Sequence, residues 1–294
     1  MTYLLVAAVL VVLGIAWLAK TSFAARPPKL NFPVVGSPSD TDFRSAIIEG
    51  VKKYPNDPFL VPIKPPRIIM PMSLYKEAMN MPALSFNAEV YSMLQGQYTH
   101  LGEDRRDLIP LIRHDLTKSM NRGSLSLLQD EAHIAFDKEL GKPQDWTTVP
   151  IYFKLLRIIA MATGRIFVGS PLNRDEKWLN ASISFTTDAI AVIRENGAWS
   201  PLLRPFIGRF LPSVKKVQKD MEDAAEWMAP LVNDVLSGDK EKLKDVEVGS
   251  RGTFMSWAMK YIPDEKKTAT EMAASQMMIS FASTHTTTMT VYHV

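Results

Sequence analysis

The sequence has no cysteine among its 294 residues, and this absence limits its chemistry. The chain can form no disulfide, offers no thiolate nucleophile, and supplies no cysteine ligand to zinc, to an iron–sulfur cluster or to a haem iron. The net charge of +3 is small, which argues against a nucleic-acid partner. Hydrophobic residues make up 46% and charged residues 22% of the chain, a balance typical of globular proteins.

The N-terminus carries the longest hydrophobic run, since residues 4–19 contain no charge. As a helix, residues 1–19 would span roughly 28 Å, close to the thickness of a bilayer core. The basic residues Lys20, Arg26 and Lys29 all follow this run. The pattern predicts a transmembrane signal anchor over residues 1–20, with the body of the protein in the cytosol. A cleaved signal peptide ending near Ala24 is the alternative, although its usual basic start is lacking.

Prolines shape the two segments that follow. Residues 21–36 include Pro27 and Pro28 and end on Gly36, which predicts an extended, proline-rich hinge. Residues 59–71, "FLVPIKPPRIIMP", alternate β-branched and proline residues. Because proline is confined to the edges and turns of sheets, this segment predicts a small hairpin of edge strands.

The rest of the chain has the periodicity of helices. Apolar residues recur every three or four positions through residues 220–236, with Pro230 predicting a kink and Gly238 a stop. Residues 151–169 are apolar on nearly all sides, as in a core helix. The predicted fold class is therefore mainly α with a small β-hairpin region.

The last sixteen residues, "ISFASTHTTTMTVYHV", combine five threonines with two histidines. Threonine is a mediocre helix former, so the cluster indicates a use for its hydroxyls. One alternative is a polar, frayed helix end without chemistry. Another is a metal site on His285 and His293, which lie eight positions apart on one helix face but have no third ligand nearby.

Four stretches, in order along the chain, resemble the N-terminal half of fungal membrane-bound cytochrome P450 monooxygenases of secondary-metabolite and diterpenoid pathways. The resemblance implies a truncated P450-like fold, with a partial P450-like domain over residues 37–294 behind the anchor and hinge. The stretches are "RHDLTKSM" with "LLQDEAHIAF" (113–136), "GRIFVGSPLNRDEKWL" (164–179), "SPLLRPFIGRFLPSVKKV" (200–217) and "FASTHTTT" (281–288).

The final stretch is similar to the family's I-helix, which passes over the haem. The resemblance puts Ala282 and Ser283 at the small, haem-facing positions and His285 at the position of the usual acid. It puts Thr286 at the proton-handling threonine, with Thr287 beside it. These three polar residues are the implied catalytic group, although the histidine departs from the broad family pattern.

The resemblance also implies a cofactor and partners. Haem would be bound in full-length relatives, with Arg113 a candidate partner for a haem propionate, since arginine pairs well with carboxylates. Arg113 and His114 could equally form a solvated surface beside Asp115. Implied partners are membrane lipid and, in full-length relatives, cytochrome P450 reductase, at the endoplasmic reticulum membrane.

The family's K-helix E-x-x-R motif, which should follow the I-helix, is missing, and so is its cysteine-containing haem loop. We therefore expect a truncated or degenerate monooxygenase that is inactive alone and binds no metal, because the axial cysteine is absent. The alternative is a non-catalytic, membrane-tethered module that binds a protein or an apolar ligand. We also expect Met277, Met278 and Phe281 to face water. Residues 200–212 are expected to touch the membrane or to line a substrate entrance, with burial between two helices as the alternative.

Overall fold

The computed structural model describes residue 14 and residues 31–63, 65–200, 202–238 and 253–294. Contacts between Cα atoms divide the chain into two compact units, Met1–Phe86 and Asn87–Val294. The predicted anchor (1–20) and hinge (21–36) lie outside the described residues, except for residues 14 and 31–36. No helix in the described ranges is long and apolar enough to cross a membrane. The predicted division of the chain at residue 36 stays a prediction.

The first unit confirms the predicted hairpin. Strands β1 (Phe59–Val61) and β2 (Arg67–Ile69) pair antiparallel, with Phe59 opposite Ile69. Helix α1 (Arg44–Lys53) covers this sheet, and its Gly50 lies so close to the ring of Phe59 that any Cβ there would clash. A short 3₁₀ turn (Met72–Leu74) and helix α2 (Tyr75–Asn80) follow.

The second unit, together with the preceding Phe86, is helical. Its helices are α3 (Phe86–Met93), α4 (Gly96–Thr99), α5 (Leu108–Pro110), α6 (Thr117–Ser119), α7 (Leu125–Leu140), α8 (Ile151–Phe167), α9 (Glu176–Gly197), α10 (Arg204–Ile207), α11 (Pro212–Ser237), α12 (Phe254–Tyr261) and α13 (Ala269–Tyr292). The π-helical segments Leu111–Leu116 and Met120–Ser124 separate α5, α6 and α7. Short 3₁₀ turns lie at Leu172–Arg174, Gly208–Phe210 and Asp264–Lys266.

Two predicted helices are confirmed. Ten residues of helix α8 are buried, as the apolar sequence of 151–169 indicated. Helix α11 includes the predicted 220–236, continues through Pro230, and ends at Gly238, whose φ of +67° suits a residue without a side chain. The largest core cluster collects apolar side chains mainly from α8, α9, α11, α12 and α13.

Ion pairs join helices α7, α8 and α9 around this core. Glu131 is 1% exposed and accepts two hydrogen bonds from Arg174, at 2.8 and 2.7 Å, with Arg165 at 4.0 Å. Glu139 on α7 is held by Arg157 at 2.7 Å and by Lys154 at 3.2 Å, both on α8. The two arginines that meet Glu131 belong to the stretch 164–179, so part of that pattern is explained by a buried charge that needs partners.

The expected exposure of the first half of α13 is wrong. Met277 is fully buried, and Met278 and Phe281 are half-buried. The reason is that α13 packs against α8, α9 and α11, so neighbours within the described residues already cover this face.

Candidate functional site

Helix α13 continues through the threonine cluster to Tyr292. At its start, the Thr268 side chain accepts a hydrogen bond from the backbone N–H of Glu271, a typical N-cap. At its other end, threonine hydroxyls donate to carbonyls one turn earlier: Thr286 to Ala282 at 2.6 Å, Thr288 to Thr284 at 2.7 Å and Thr290 to Thr286 at 2.9 Å. These bonds satisfy the hydroxyls inside the helix, which accommodates the β-branched residues there.

The threonine cluster has two faces. A row of polar side chains four residues apart is buried: Gln276, Ser280, Thr284 and Thr288. Of the predicted site, Ala282 and Thr286 lie opposite this row, and the other three residues lie at its sides. Ala282, Thr286 and Thr287 are exposed, whereas Ser283 and His285 are half-buried. The structure joins Thr286 to Ala282 through the hydrogen bond above, and Thr287 lies beside them.

His285 contacts a residue that sequence reasoning missed. Its Nδ1 lies 3.3 Å from the hydroxyl of Tyr152, in the first turn of α8. The ring of Tyr292 meets that of Tyr152 edge to face, with centroids 5.5 Å apart. Across the described ranges no three potential metal ligands gather, so a site on His285 and His293 gains no support. No sequence signal marks the pair, because Tyr152 and His285 are 133 positions apart.

Arg113 lies apart from these residues, on the exposed side of the π-helical segment Leu111–Leu116. No hydrogen bond of the described part of the chain connects it to α13. Its neighbour Asp115 accepts bonds from Lys260 at 3.0 Å and from Tyr261 at 2.6 Å, so this segment docks on α12. Burial raises the pKa of Asp115, but those two hydrogen bonds and the charges of Lys260 and Lys118 together outweigh burial and hold the pKa below its usual value.

A second polar feature missed by sequence reasoning lies between α9 and α11. The Ser184 hydroxyl donates to Oδ1 of Asp220 at 3.0 Å, and Oδ2 has no partner among the described residues. Burial raises the pKa of Asp220 to about 6, and the charge of Asp188 adds to the effect. In the sequence Asp220 looks like any polar residue at the edge of an amphipathic helix, so nothing local marks it.

Two further surface features are a groove lined largely by polar residues and a group of exposed apolar side chains. A groove of about 700 Å³ runs beside the start of α13, lined by His100, Glu103, Met221, Glu222, Glu271 and others. Within 199–212, the side chains of Trp199, Leu203, Phe206 and Phe210 are 44, 39, 50 and 71% exposed. Burial of this whole segment between helices is therefore wrong, and these four side chains form an exposed apolar patch.

The donors present do not fit a thiolate-ligated haem. The exposed face of α13 carries Ala282 and Thr286, and the sequence holds no cysteine to ligate the iron of such a haem. These 294 residues alone therefore lack the ligand that haem-thiolate chemistry requires.

Comparison with known proteins shows that the sequence is similar to several cytochrome P450 monooxygenases. No protein-family model matches the sequence, and no solved structure matches it. Over 285 residues it is 39% identical to cytochrome P450 monooxygenase 3 of Gibberella fujikuroi, covering 95% of this chain and 53% of that protein. It is 37% identical to cytochrome P450 monooxygenase ascG of Acremonium egyptiacum, with 91% and 51% covered. It is 36% identical to cytochrome P450 monooxygenase BOA4 of Botryotinia fuckeliana, with 88% and 52% covered. The chain spans about half the length of these relatives.

Proposed function

The chain is a partial cytochrome P450, and we propose that it supplies the distal, oxygen-side part of a haem-thiolate monooxygenase and is inactive by itself. The observation that carries this proposal is α13, an unbroken helix on which Thr286 and Thr287 are both exposed. The relatives' names support the reaction class, since each is called a cytochrome P450 monooxygenase.

The proposed role of α13 is to handle protons. The Thr286 hydroxyl donates to a carbonyl of its own helix, and a hydroxyl held in this way can instead hold a water or donate to a bound group. Thr287 and His285 would complete the polar group, and Ala282 and Ser283 would leave room for a flat cofactor. Arg113 would need to meet a propionate through its exposed guanidinium.

We propose that a longer protein, in which this chain is joined to the cysteine-bearing part, oxidises a bulky apolar secondary metabolite. Cytochrome P450 reductase would supply the electrons. That protein would be anchored in the endoplasmic reticulum membrane through residues 1–20. Alkaline carbonate extraction should leave the anchored chain in the membrane pellet, and deletion of residues 1–25 should change its distribution. Release of the undeleted chain into the soluble fraction would contradict the anchor.

The spectrum of the reduced, carbon-monoxide-bound protein tests the central proposal. The 294-residue chain supplied with haem should show no thiolate-type Soret band. A fusion of this chain to the remaining half of the Gibberella fujikuroi relative should show one. The same fusion with its ligating cysteine replaced by serine is the control and should lose the band. A thiolate-type band from the chain alone, or none from the intact fusion, would overturn the proposal.

A non-catalytic, membrane-tethered module that binds an apolar surface is the second candidate, and the exposed patch of Trp199, Leu203, Phe206 and Phe210 favours it. Liposome flotation of a chain lacking residues 1–25 would test the patch. Phe206→Asp and Phe210→Asp should reduce binding, and Phe136→Asp, at another exposed phenylalanine, should not. Equal flotation of all variants would remove the support for this candidate.

A further inference from the structure

We infer that Tyr152 is a positioning residue that fixes the tautomer and ring orientation of His285. The inference extends the proposed function. It rests on that function only for the role that the ring proton of His285 would have. The contact itself depends only on how α8 and α13 pack, so it can be tested without haem.

The geometry gives Tyr152 a fixed place. It lies in the first turn of α8, whose Lys154 and Arg157 are held to Glu139 of α7. Its ring packs edge to face against Phe153 at 5.6 Å and against Tyr292 at 5.5 Å, and its hydroxyl lies 3.3 Å from Nδ1 of His285. Both partners are half-buried, so water competes less for this bond than it would at the surface.

The direction of this bond depends on the tautomer of His285, since a phenol hydroxyl can donate or accept, and the inference assigns Tyr152 as the donor. A phenol is a proton donor at neutral pH, and a neutral imidazole carries one donor and one acceptor nitrogen. If the Tyr152 hydroxyl donates to Nδ1, the proton of His285 must lie on Nε2. A neutral histidine held in this tautomer presents an N–H donor where the family pattern has an acid, one residue before Thr286.

Histidine nitrogen shifts test the inference directly. The full chain would be labelled with ¹⁵N-histidine, solubilised in detergent, and His285 assigned from the signal lost in His285→Gln. In the unsubstituted chain we expect the pattern of an Nε2–H tautomer with Nδ1 shifted by an accepted hydrogen bond. Tyr152→Phe keeps the ring and should abolish that shift, leaving His285 in a mixture of tautomers.

Tyr292→Phe is the matched control, because it removes a tyrosine hydroxyl from the same ring cluster without touching the bond to Nδ1. Circular dichroism should show that the unsubstituted chain, Tyr152→Phe and Tyr292→Phe are equally helical. Unchanged His285 signals in Tyr152→Phe, or the same change in Tyr292→Phe, would overturn the inference. These readings do not depend on the carbon-monoxide spectrum, so failure here and failure of the proposed function are distinguishable.

Discussion

The two halves of α13 differ in the interactions that stabilise them. In the first half, apolar side chains such as Met272, Ala273 and Met277 are almost completely buried against neighbouring helices. In the second half, only Thr284 and Thr288 are buried, and the threonine hydroxyls bond to the helix's own carbonyls. Packing therefore stabilises the first half, whereas local hydrogen bonds accommodate the residues of the second. The predicted site lies on the half that packing leaves partly uncovered.

The largest expected effect is in the packed half. Met277→Ala removes a fully buried side chain and should lower the free energy of unfolding by about 2–5 kcal/mol, through lost burial and the cavity left behind. Met289→Ala, on the same helix but 37% exposed, should change it by less than about 0.5 kcal/mol. Urea unfolding of both variants measures the difference. Equal losses of unfolding free energy in the two variants would show that packing stabilises both halves to the same degree.

The second-largest expected effect on stability comes from Asp220, which lies on α11, a helix that packs against α13. Its folded pKa of about 6 lies above the usual value, so the folded state holds this proton more tightly than the unfolded state. The stability from this proton is fully present below about pH 4 and is lost as the pH rises through about 6. Asp220→Asn should therefore be more stable than the original chain at pH 7, by on the order of 1 kcal/mol after screening by solvent.

Thermal unfolding between pH 4 and pH 7 would check the Asp220 prediction. The gain of Asp220→Asn should shrink towards pH 4, where the carboxyl group is protonated in the folded state. Glu222→Gln is the matched control on the same helix, since Glu222 is exposed, and it should not reproduce this pattern. A gain that is constant with pH would contradict the assignment.

The smallest effect distinguishes the two faces of the threonine cluster. Thr288→Val keeps the shape of a fully buried side chain but loses the hydroxyl that bonds to Thr284, and should cost about 1 kcal/mol of unfolding free energy. Thr286→Val, on the exposed face, should cost less than about 0.5 kcal/mol. If Thr286→Val were the more destabilising of the two, the exposed face would have a structural role and the argument for a functional one would weaken.

Sequence reasoning predicted the features that local chemistry controls. Prolines between β-branched residues predicted the hairpin of β1 and β2, and apolar periodicity predicted α8 and α11. It failed for Met277, because exposure depends on which helices lie alongside and not on the residues next to it in the chain. For the candidate site, it named the threonines and His285 through a family resemblance, and their roles stay predictions.

By itself, the sequence determined the helical class, the hairpin, the absence of any thiol ligand and the likeness to cytochrome P450 monooxygenases. Each depends on residue types or on short-range spacing, which the chain carries whether folded or not. Only the tertiary structure brought Tyr152 to His285, Ser184 to Asp220 and Arg174 to Glu131. Those partners are far apart in the chain, and they meet because burying the apolar faces of α7, α8, α9, α11 and α13 brings these polar groups close enough to bond.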